Sequence, residues 1–340
     1  MKTTCTIITS DFLHYALALH KSLNDFQSIP LYILITDVND IDINNSSFPN
    51  LHFIFLDELK EIRYAKEIIE KYRDVDDNAL RWSLKPILAG YLLKKYEKVL
   101  VLDADLFFCN DFQFLFDELD TANILLTPHW RNSSPSLVQG KERDHFEHLF
   151  VAGLYNAGFF GINRFAKDVL FWWANCCLYR CDLDKSQGHY GDQTYLNLLP
   201  IYFEKVRILK HRGCNISEWN YVECERTLLK NGELGINNKY PVVFIHFAGS
   251  FVKDLESSKD PLSTPYFNLW KKTISEYKAY SLQNKKSIEE TESKSLNTEK
   301  SPVGGLDLRN PTKGVIGLAL ARRIKRKIRI RTRIRRFLDG

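Results

Sequence analysis

The sequence predicts an α/β fold, a mostly parallel sheet with helices on both faces. Three observations predict it. Short apolar, β-rich runs alternate with stretches of helical periodicity through the amino-terminal third of the chain, and such alternation implies parallel βαβ units. One run, Val99 to Leu102, is apolar without interruption, which is how a central strand covered on both faces reads. Hydrophobic residues make up 44% of the 340 residues, ample for a buried core. No apolar run reaches the roughly 18 residues that a membrane span needs.

Taken in order, Cys5 to Thr9 is the first strand. The following helix gathers Leu13, Ala16, Leu17 and Leu23 near one buried face. Leu31 to Thr36 and Leu51 to Leu56 are the next strands, and Leu59 to about Tyr72 is amphipathic. Ser83 is expected to cap a helix with Pro86 in its first turn and Leu84, Ile87, Leu88, Tyr91 and Leu92 at helical spacing. That helix delivers the chain to the Val99 strand. Beyond it the pattern loosens. Asn123 to Thr127 reads as a strand, and Pro128 to Lys141 as a polar loop long enough to serve a site. Phe159 to Ile162 and Val242 to Phe247 are strands, and a helix begins near Thr194. The globular domain is placed at residues 1–280. Residues 281–312, rich in Ser, Lys, Glu and Asn toward their start, read as a flexible linker.

Charge is unevenly spread. Residues 313–340 hold eleven Lys or Arg and one Asp, a net of +10, while residues 1–312 carry a net of −5. In the tail, Ile324, Ile328, Ile330, Ile334 and Phe337 interleave with the cations. Each Lys or Arg near an anionic leaflet contributes about 1 kcal/mol, and interleaved apolar side chains favour interfacial docking. The tail is therefore read as a membrane-associating segment, with nucleic-acid binding as a disfavoured rival and a disordered tail as the bland alternative. The start of the chain lacks the long apolar segment of a secretory leader, so the expected location is cytoplasmic, peripheral on the inner face of the membrane. Seven cysteines without a C-x-x-C pair fit reduced thiols rather than disulfides or zinc. Cys176, Cys177 and Cys181 are read as packing residues on a buried helical face.

The chemistry centres on Asp103-Ala104-Asp105, where the Val99 strand stops. Side chains two apart on an extended segment point the same way, and the carboxyl ends of strands are where open α/β sheets place ligands. Two converging carboxylates suit Mg²⁺ or Mn²⁺, with a diphosphate completing the coordination. The bland reading is a pair of solvated turn aspartates.

Four motifs occur in order: V-L-D-A-D, N-A-G-F-F-G-I-N, G-D-Q-T-Y-L-N and H-F-A-G-S. In that order they resemble the GT-A-fold nucleotide-sugar glycosyltransferases, in particular the retaining group that includes glycogenin and bacterial lipooligosaccharide galactosyltransferases. The likeness covers roughly residues 3–275. It implies a GT-A, Rossmann-like fold with a mixed, mostly parallel sheet, followed here by the linker and the basic tail. It also implies a nucleotide-sugar donor, most readily a UDP-hexose, and a glycan or lipid-linked acceptor in cell-surface polysaccharide synthesis.

By that resemblance Asp103, Asp105 and His246 are the metal ligands, with Mn²⁺ preferred over Mg²⁺ because an imidazole suits it better. Without the motif His246 would be a satisfied buried histidine. Gly249 allows backbone approach to the diphosphate, and Lys253 or Lys85 would neutralise it; Lys85 reads equally as a solvated lysine. Thr9, Ser10 and Asp11 match the base and ribose position, although Asp11 could simply cap the next helix. Asn156, Ala157, Gly158, Asp192 and Gln193 match the donor-sugar positions, with Asp192 and Gln193 the candidate catalytic residues; Asp192 could also be a helix cap. His129, Trp130 and Trp219 carry groups suited to an acceptor sugar, while Trp219 could equally be core. Two other classes stay open: a phosphohydrolase using the D-x-D, and a non-catalytic nucleotide-sugar binder tethered by its tail.

Overall fold

The computed structural model describes residues 1–41, 47–135 and 143–279, with only the backbone described in 143–145. The predicted linker and basic tail lie outside the described residues. Helices and strands alternate first as β1 (Lys2–Ile8), α1 (Leu13–Asn24), β2 (Leu31–Ile35) and β3 (Leu51–Phe55). Three helices follow, α2 (Ala65–Tyr72), α3 (Asp77–Ser83) and α4 (Lys85–Leu92), and lead into β4 (Lys98–Leu102). Then come β5 (Leu106–Phe108), α5 (Gln113–Thr121), β6 (Ile124–Pro128), α6 (Arg143–Ala152), β7 (Tyr155–Asn163) and α7 (Lys167–Tyr179). Short pieces occupy the next stretch: β8 (Leu183–Asp184), β9 (His189–Tyr190), α8 (Leu199–Tyr202), β10 (Val206–Ile208) and β11 (Cys214–Ile216). The chain closes with β12 (Arg226–Leu228), β13 (Leu234–Ile236), β14 (Tyr240–Pro241), β15 (Phe244–His246), α9 (Gly249–Glu256) and α10 (264–279).

Seven strands form the central sheet in the order β10-β6-β7-β4-β1-β2-β3. Pairing is parallel for β1 with β2 and β4, for β2 with β3 and for β10 with β6. Strand β7 runs antiparallel to both β4 and β6. The parallel pairs are those that the alternation predicts, and with β7 they make the mixed, mostly parallel sheet that the resemblance implies. Along β4, Val99 and Val101 join the core under α2, α3, α4 and α7, while Leu100 and Leu102 join the core under α1 and α5. The period-2 geometry of a strand thus divides one apolar run between two buried faces.

Three local expectations are corrected. Ser83 caps no helix; it ends α3, and its hydroxyl donates to the Ala79 and Leu80 carbonyls. Asp76 caps the earlier helix by accepting from the Asn78 and Ala79 amides at 2.9 and 3.1 Å, so the apolar spacing spans two helices joined at Leu84. Cys181 lies beyond the end of α7, so it shares no helical face with Cys177, although both are buried. At Thr194 the chain makes a 3₁₀ turn over Thr194–Leu198 before the single turn of α8. All seven cysteines are free.

A smaller sheet, β11-β15-β5, carries a third apolar cluster that includes Phe107, Phe247, Phe251 and Trp270. Through it α10 is fastened to the segment that follows β15. Trp270 is 4% exposed and stacks on Phe247 with centroids 4.4 Å apart and planes at 27°. Truncating a buried Trp typically costs about 3–5 kcal/mol. We expect Trp270→Ala to lower the urea midpoint by a destabilisation of that order, measured by equilibrium unfolding, because Phe267, at 6.0 Å, would be left as the ring of α10 against Phe247.

Candidate active site

The site lies where the chain reverses its path across the sheet. From β1 the strands step out to β2 and β3, and the chain then returns to place β4 on the other side of β1. A crevice opens at such a switch point, outside the strands' carboxyl ends. Thr9-Ser10-Asp11 leaves β1 there, and Asp103-Ala104-Asp105 leaves β4. A cavity of about 600 Å³ occupies the crevice, with Ile8, Lys85, Asp103, Asp105, Gly249 and Lys271 on its wall.

The two aspartates converge, but through a turn rather than the strand pleat. The Leu106 amide donates to the Asp103 carbonyl at 3.2 Å, closing a turn that sends β5 back antiparallel to β15. Leu106 is then paired with His246, which sets Asp105 beside the imidazole. One ligand atom from each of Asp103, Asp105 and His246 falls within 4.8 Å of the others. Backbone bonds fix both aspartates: the Asp103 amide donates to Gly158 O at 2.8 Å, and Asp105 O accepts from the Phe247 amide at 2.9 Å.

His246 is oriented from behind. Its Nδ1 lies 3.2 Å from Asn215 Oδ1, and its Nε2 lies 3.1 Å from Asp105 Oδ1. Asn215 sits at a register shift between β11 and β15 and has a φ of 64°. Bulges re-aim side chains, and Asn tolerates this left-handed backbone better than most residues. Burial works against a charge on His246, but the Asp105 carboxylate more than offsets it and raises the imidazole's pKa. Burial likewise opposes ionisation of Asp105, and His246 pulls its carboxyl below the ordinary range. Two carboxylates and an imidazole whose remote nitrogen is already bonded fit a divalent cation such as Mn²⁺.

Beside the triad, Lys85 is buried, 4% exposed. Its Nζ lies 2.9 Å from Asp103 Oδ1 and 3.4 Å from Asp192 Oδ2, and it donates to the Ala157 carbonyl at 2.9 Å. Burial opposes the ammonium, but Asp103 and then Asp192 outweigh it and hold its pKa above the usual lysine value. Asp192 behaves differently. Burial pushes its carboxyl up, and although Lys85 pulls it back, Asp103 pushes it further, to about 6. Its Oδ2 is buried and accepts no hydrogen bond of good geometry, despite the nearby ammonium.

Behind these groups lies a buried amide network. Gln193 donates through Nε2 to the Ala152 carbonyl at 2.7 Å and accepts at Oε1 from the Ala157 amide at 3.1 Å. Asn156 Oδ1 accepts from the Gly158 amide at 2.9 Å, and its Nδ2 lies 3.2 Å from His129 Nε2. A Cβ on Gly158 would stand 2.5 Å from His246 Cε1 and 2.6 Å from Asn156 Oδ1, so only glycine fits beside the triad.

The structure therefore brings together Lys85, Asp103, Ala104, Asp105, Asn156, Ala157, Gly158, Asp192, Gln193 and His246. Gly249 is on the cavity wall, whereas Lys253 is exposed and off it. Thr9 donates to Asp11, and Ser10 donates through its amide and hydroxyl to Asp37 at 2.8 and 2.9 Å. Neither Asp11 nor Asp192 provides a side-chain cap to the helical turn that follows it. His129 is 2% exposed, and Trp219 is 6% exposed and packs edge-on against both His129 and His246 at 5.5 and 5.1 Å. Trp130 is half-buried under the Arg212 guanidinium at 4.4 Å. Sequence reasoning missed Asn78, Arg81 and Trp82 of α3 and Trp270 and Lys271 of α10, all on the cavity wall. It also missed Asn215 as the partner of His246; the signal lay in the N-I-S-E-W-N stretch, unread for that role.

No family model matches the chain. It is 27% identical to the uncharacterised protein YfnF of Bacillus subtilis (strain 168) over 263 residues, 75% of this chain and 84% of that one. It is 28% identical to YfnD of the same organism over 240 residues, 68% of this chain and 71% of that one. Among solved structures it is similar to the galactosyltransferase LgtC in complex with donor and acceptor sugar analogues (TM-score 0.45, 16% identity, 73% of this chain and 87% of that one). It is similar also to mouse xyloside xylosyltransferase 1 (TM-score 0.45, 13% identity, 74% of this chain and 99% of that one).

Two predictions follow from the geometry. Asn215→Ala releases His246 Nδ1 and is expected to weaken Mn²⁺ affinity by about 10- to 100-fold, read by calorimetric titration of the metal. The second concerns pH. Asp192 has its folded pKa raised from 3.8 to about 6, so between those values the native state binds more protons than the unfolded chain. Its contribution is therefore present at the acid end and lost as pH rises toward 6. Asp192→Asn removes that slope, and the melting temperature of the variant minus that of wild type should rise across this window in metal-free buffer.

Proposed function

We propose that the protein is a metal-dependent glycosyltransferase that moves a hexose from a nucleotide-diphosphate sugar, a UDP-sugar in the first instance, to a glycan or lipid-linked acceptor. One observation carries the reading: in a convergent Asp103–Asp105–His246 triad, Asp103 and Asp105 line a cavity of about 600 Å³ at a sheet switch point. A cleft of that size suits a nucleotide-sized ligand. The order of the four sequence motifs supports the same reading.

Asp103, Asp105 and His246 would hold the cation, which would offset the charge that builds on the departing nucleoside diphosphate. Lys85 keeps an ammonium against Asp103, donates to the Ala157 carbonyl and lies 3.4 Å from Asp192 Oδ2. Asn156, Asp192 and Gln193 supply buried polar groups for sugar hydroxyls, which must be hydrogen-bonded once they leave water. Gln193 is the family-matched residue beside the reacting carbon, and an amide bonded at both ends is a poor nucleophile. Retention would then come from attack by the acceptor hydroxyl on the face that the diphosphate leaves. The new C–O bond forms as the sugar–phosphate bond breaks, and the hydroxyl proton passes to the departing phosphate oxygen.

The proposal extends to the tail. Its charge and interleaved isoleucines support attachment to an anionic membrane surface, suited to a lipid-carried acceptor. No helix among the described residues is long and apolar enough to cross a membrane.

The test is a thermal-shift screen of UDP, GDP, CMP and their sugars, with and without Mn²⁺, on wild type and Asp105→Ala. A ligand of the native state raises the melting temperature by mass action, by about 2.7 kcal/mol of stability at 100-fold over Kd. A Mn²⁺-dependent shift with one nucleotide family, absent in Asp105→Ala, is expected. No shift with any of them would overturn the donor-site reading.

A further inference from the structure

The cavity wall carries three cationic side chains, Arg81, Lys85 and Lys271. Two of them are engaged. Lys85 is surrounded by Asp103, Asp192 and the Ala157 carbonyl. Arg81 donates to Asn78 Oδ1 at 2.5 Å and to the Asp77 carbonyl at 3.3 Å, and lies over the Phe12 ring. Lys271 is held more loosely: its Nζ is 3.9 Å from Glu256 Oε1, beyond hydrogen-bonding distance, and 4.8 Å from the Phe267 ring centroid, with 52% of its side chain exposed.

Charge at the site makes that ammonium matter. A divalent cation beside Asp103 and Asp105, with Lys85 set against Asp192, leaves the floor of the cavity near neutrality. A cationic side chain on the wall would then add to what the cation supplies against the negative charge of a diphosphate. On α9 the residues facing the cavity are Gly249, Val252 and Glu256. An apolar Val252 thus stands on the wall, and Lys253, the lysine that the sequence suggested for phosphate, is exposed beside it. Across the cleft, α10 holds Lys271 by its neighbour: Trp270 is stacked on Phe247 at 4.4 Å, the residue next to His246, and lies 5.6 Å from Tyr15. The chain thereby carries a long, flexible ammonium over the same cavity that Asp103 and Asp105 line, and a compact ammonium on a flexible stem suits a phosphate as a point charge.

We propose that Lys271 of α10, rather than Lys253 of α9, is the phosphate-binding lysine of the donor site, exchanging its loose contact with Glu256 for an oxygen of the donor's diphosphate. This rests on the donor-site reading above. The cation on the wall is then delivered by the carboxyl-terminal helix of the domain, so capture of the donor depends on α10 being docked against Phe247.

The full chain is titrated calorimetrically with UDP, GDP and ADP, and with the matching nucleosides, in Mn²⁺. For the diphosphate that binds wild type, Lys271→Ala should weaken affinity about 10-fold, the scale of one charge-assisted hydrogen bond, and leave the nucleoside's affinity unchanged. Lys271→Arg should keep most of the affinity. Lys272→Ala removes the same charge from the same helix at an exposed position paired with Glu276 at 4.0 Å, and should bind as wild type. Unchanged diphosphate affinity in Lys271→Ala, or a loss in Lys253→Ala instead, overturns the assignment while leaving the donor site standing. Failure of wild type to bind any diphosphate overturns both.

Discussion

The candidate site depends on one buried ammonium. Lys85 sits at the first position of α4 and reaches across to three different parts of the chain: Asp103 after β4, Asp192 before the 3₁₀ turn, and the Ala157 carbonyl in β7. Burying a lysine costs several kcal/mol unless it is paired, and removing one member of such a set leaves an uncompensated charge. One charge thereby ties together the turn after β4, the segment at Asp192 and the antiparallel strand β7. The break between α3 and α4 falls where Pro86, which has no N–H to continue the ladder of α3, enters the first turn of α4.

A second constraint works from the opposite side. Phe247 follows His246 directly, gives its amide to Asp105 and takes Trp270 onto its face. The smaller sheet and α10 thus lock the imidazole's strand from outside, while Asn215 fixes the ring from behind. Between these supports the ligand atoms converge without any one element carrying all three.

What was legible in the sequence follows from how local each signal is. The β4 run and the paired aspartates stood out because a buried strand and its polar stop are adjacent in the chain. Asn156, Asp192 and His246 were legible only through the order of their motifs, since nothing near each one in sequence says that they meet. Arg81, Trp82 and Lys271 were not legible: an arginine or lysine on an amphipathic helix reads as a solvated face until the helix is docked. The direction of β7 was equally hidden, because an apolar strand has the same composition whichever way it runs. Asp103 and Asp105 converged by a turn and not by the pleat, a reminder that i and i+2 residues can meet by more than one geometry. The linker and the tail lie beyond the described residues and remain readings of composition.

The contact between His246 and Asp105 has a further consequence. With Nδ1 beside Asn215 Oδ1 and Nε2 facing the Asp105 carboxylate, the nitrogen that a cation would use is also the one at which the carboxylate favours a proton. A cation bound by the triad would compete with a proton for that nitrogen. Occupancy of the site by a metal would then be tied to acidity as well as to metal supply, acid favouring the proton.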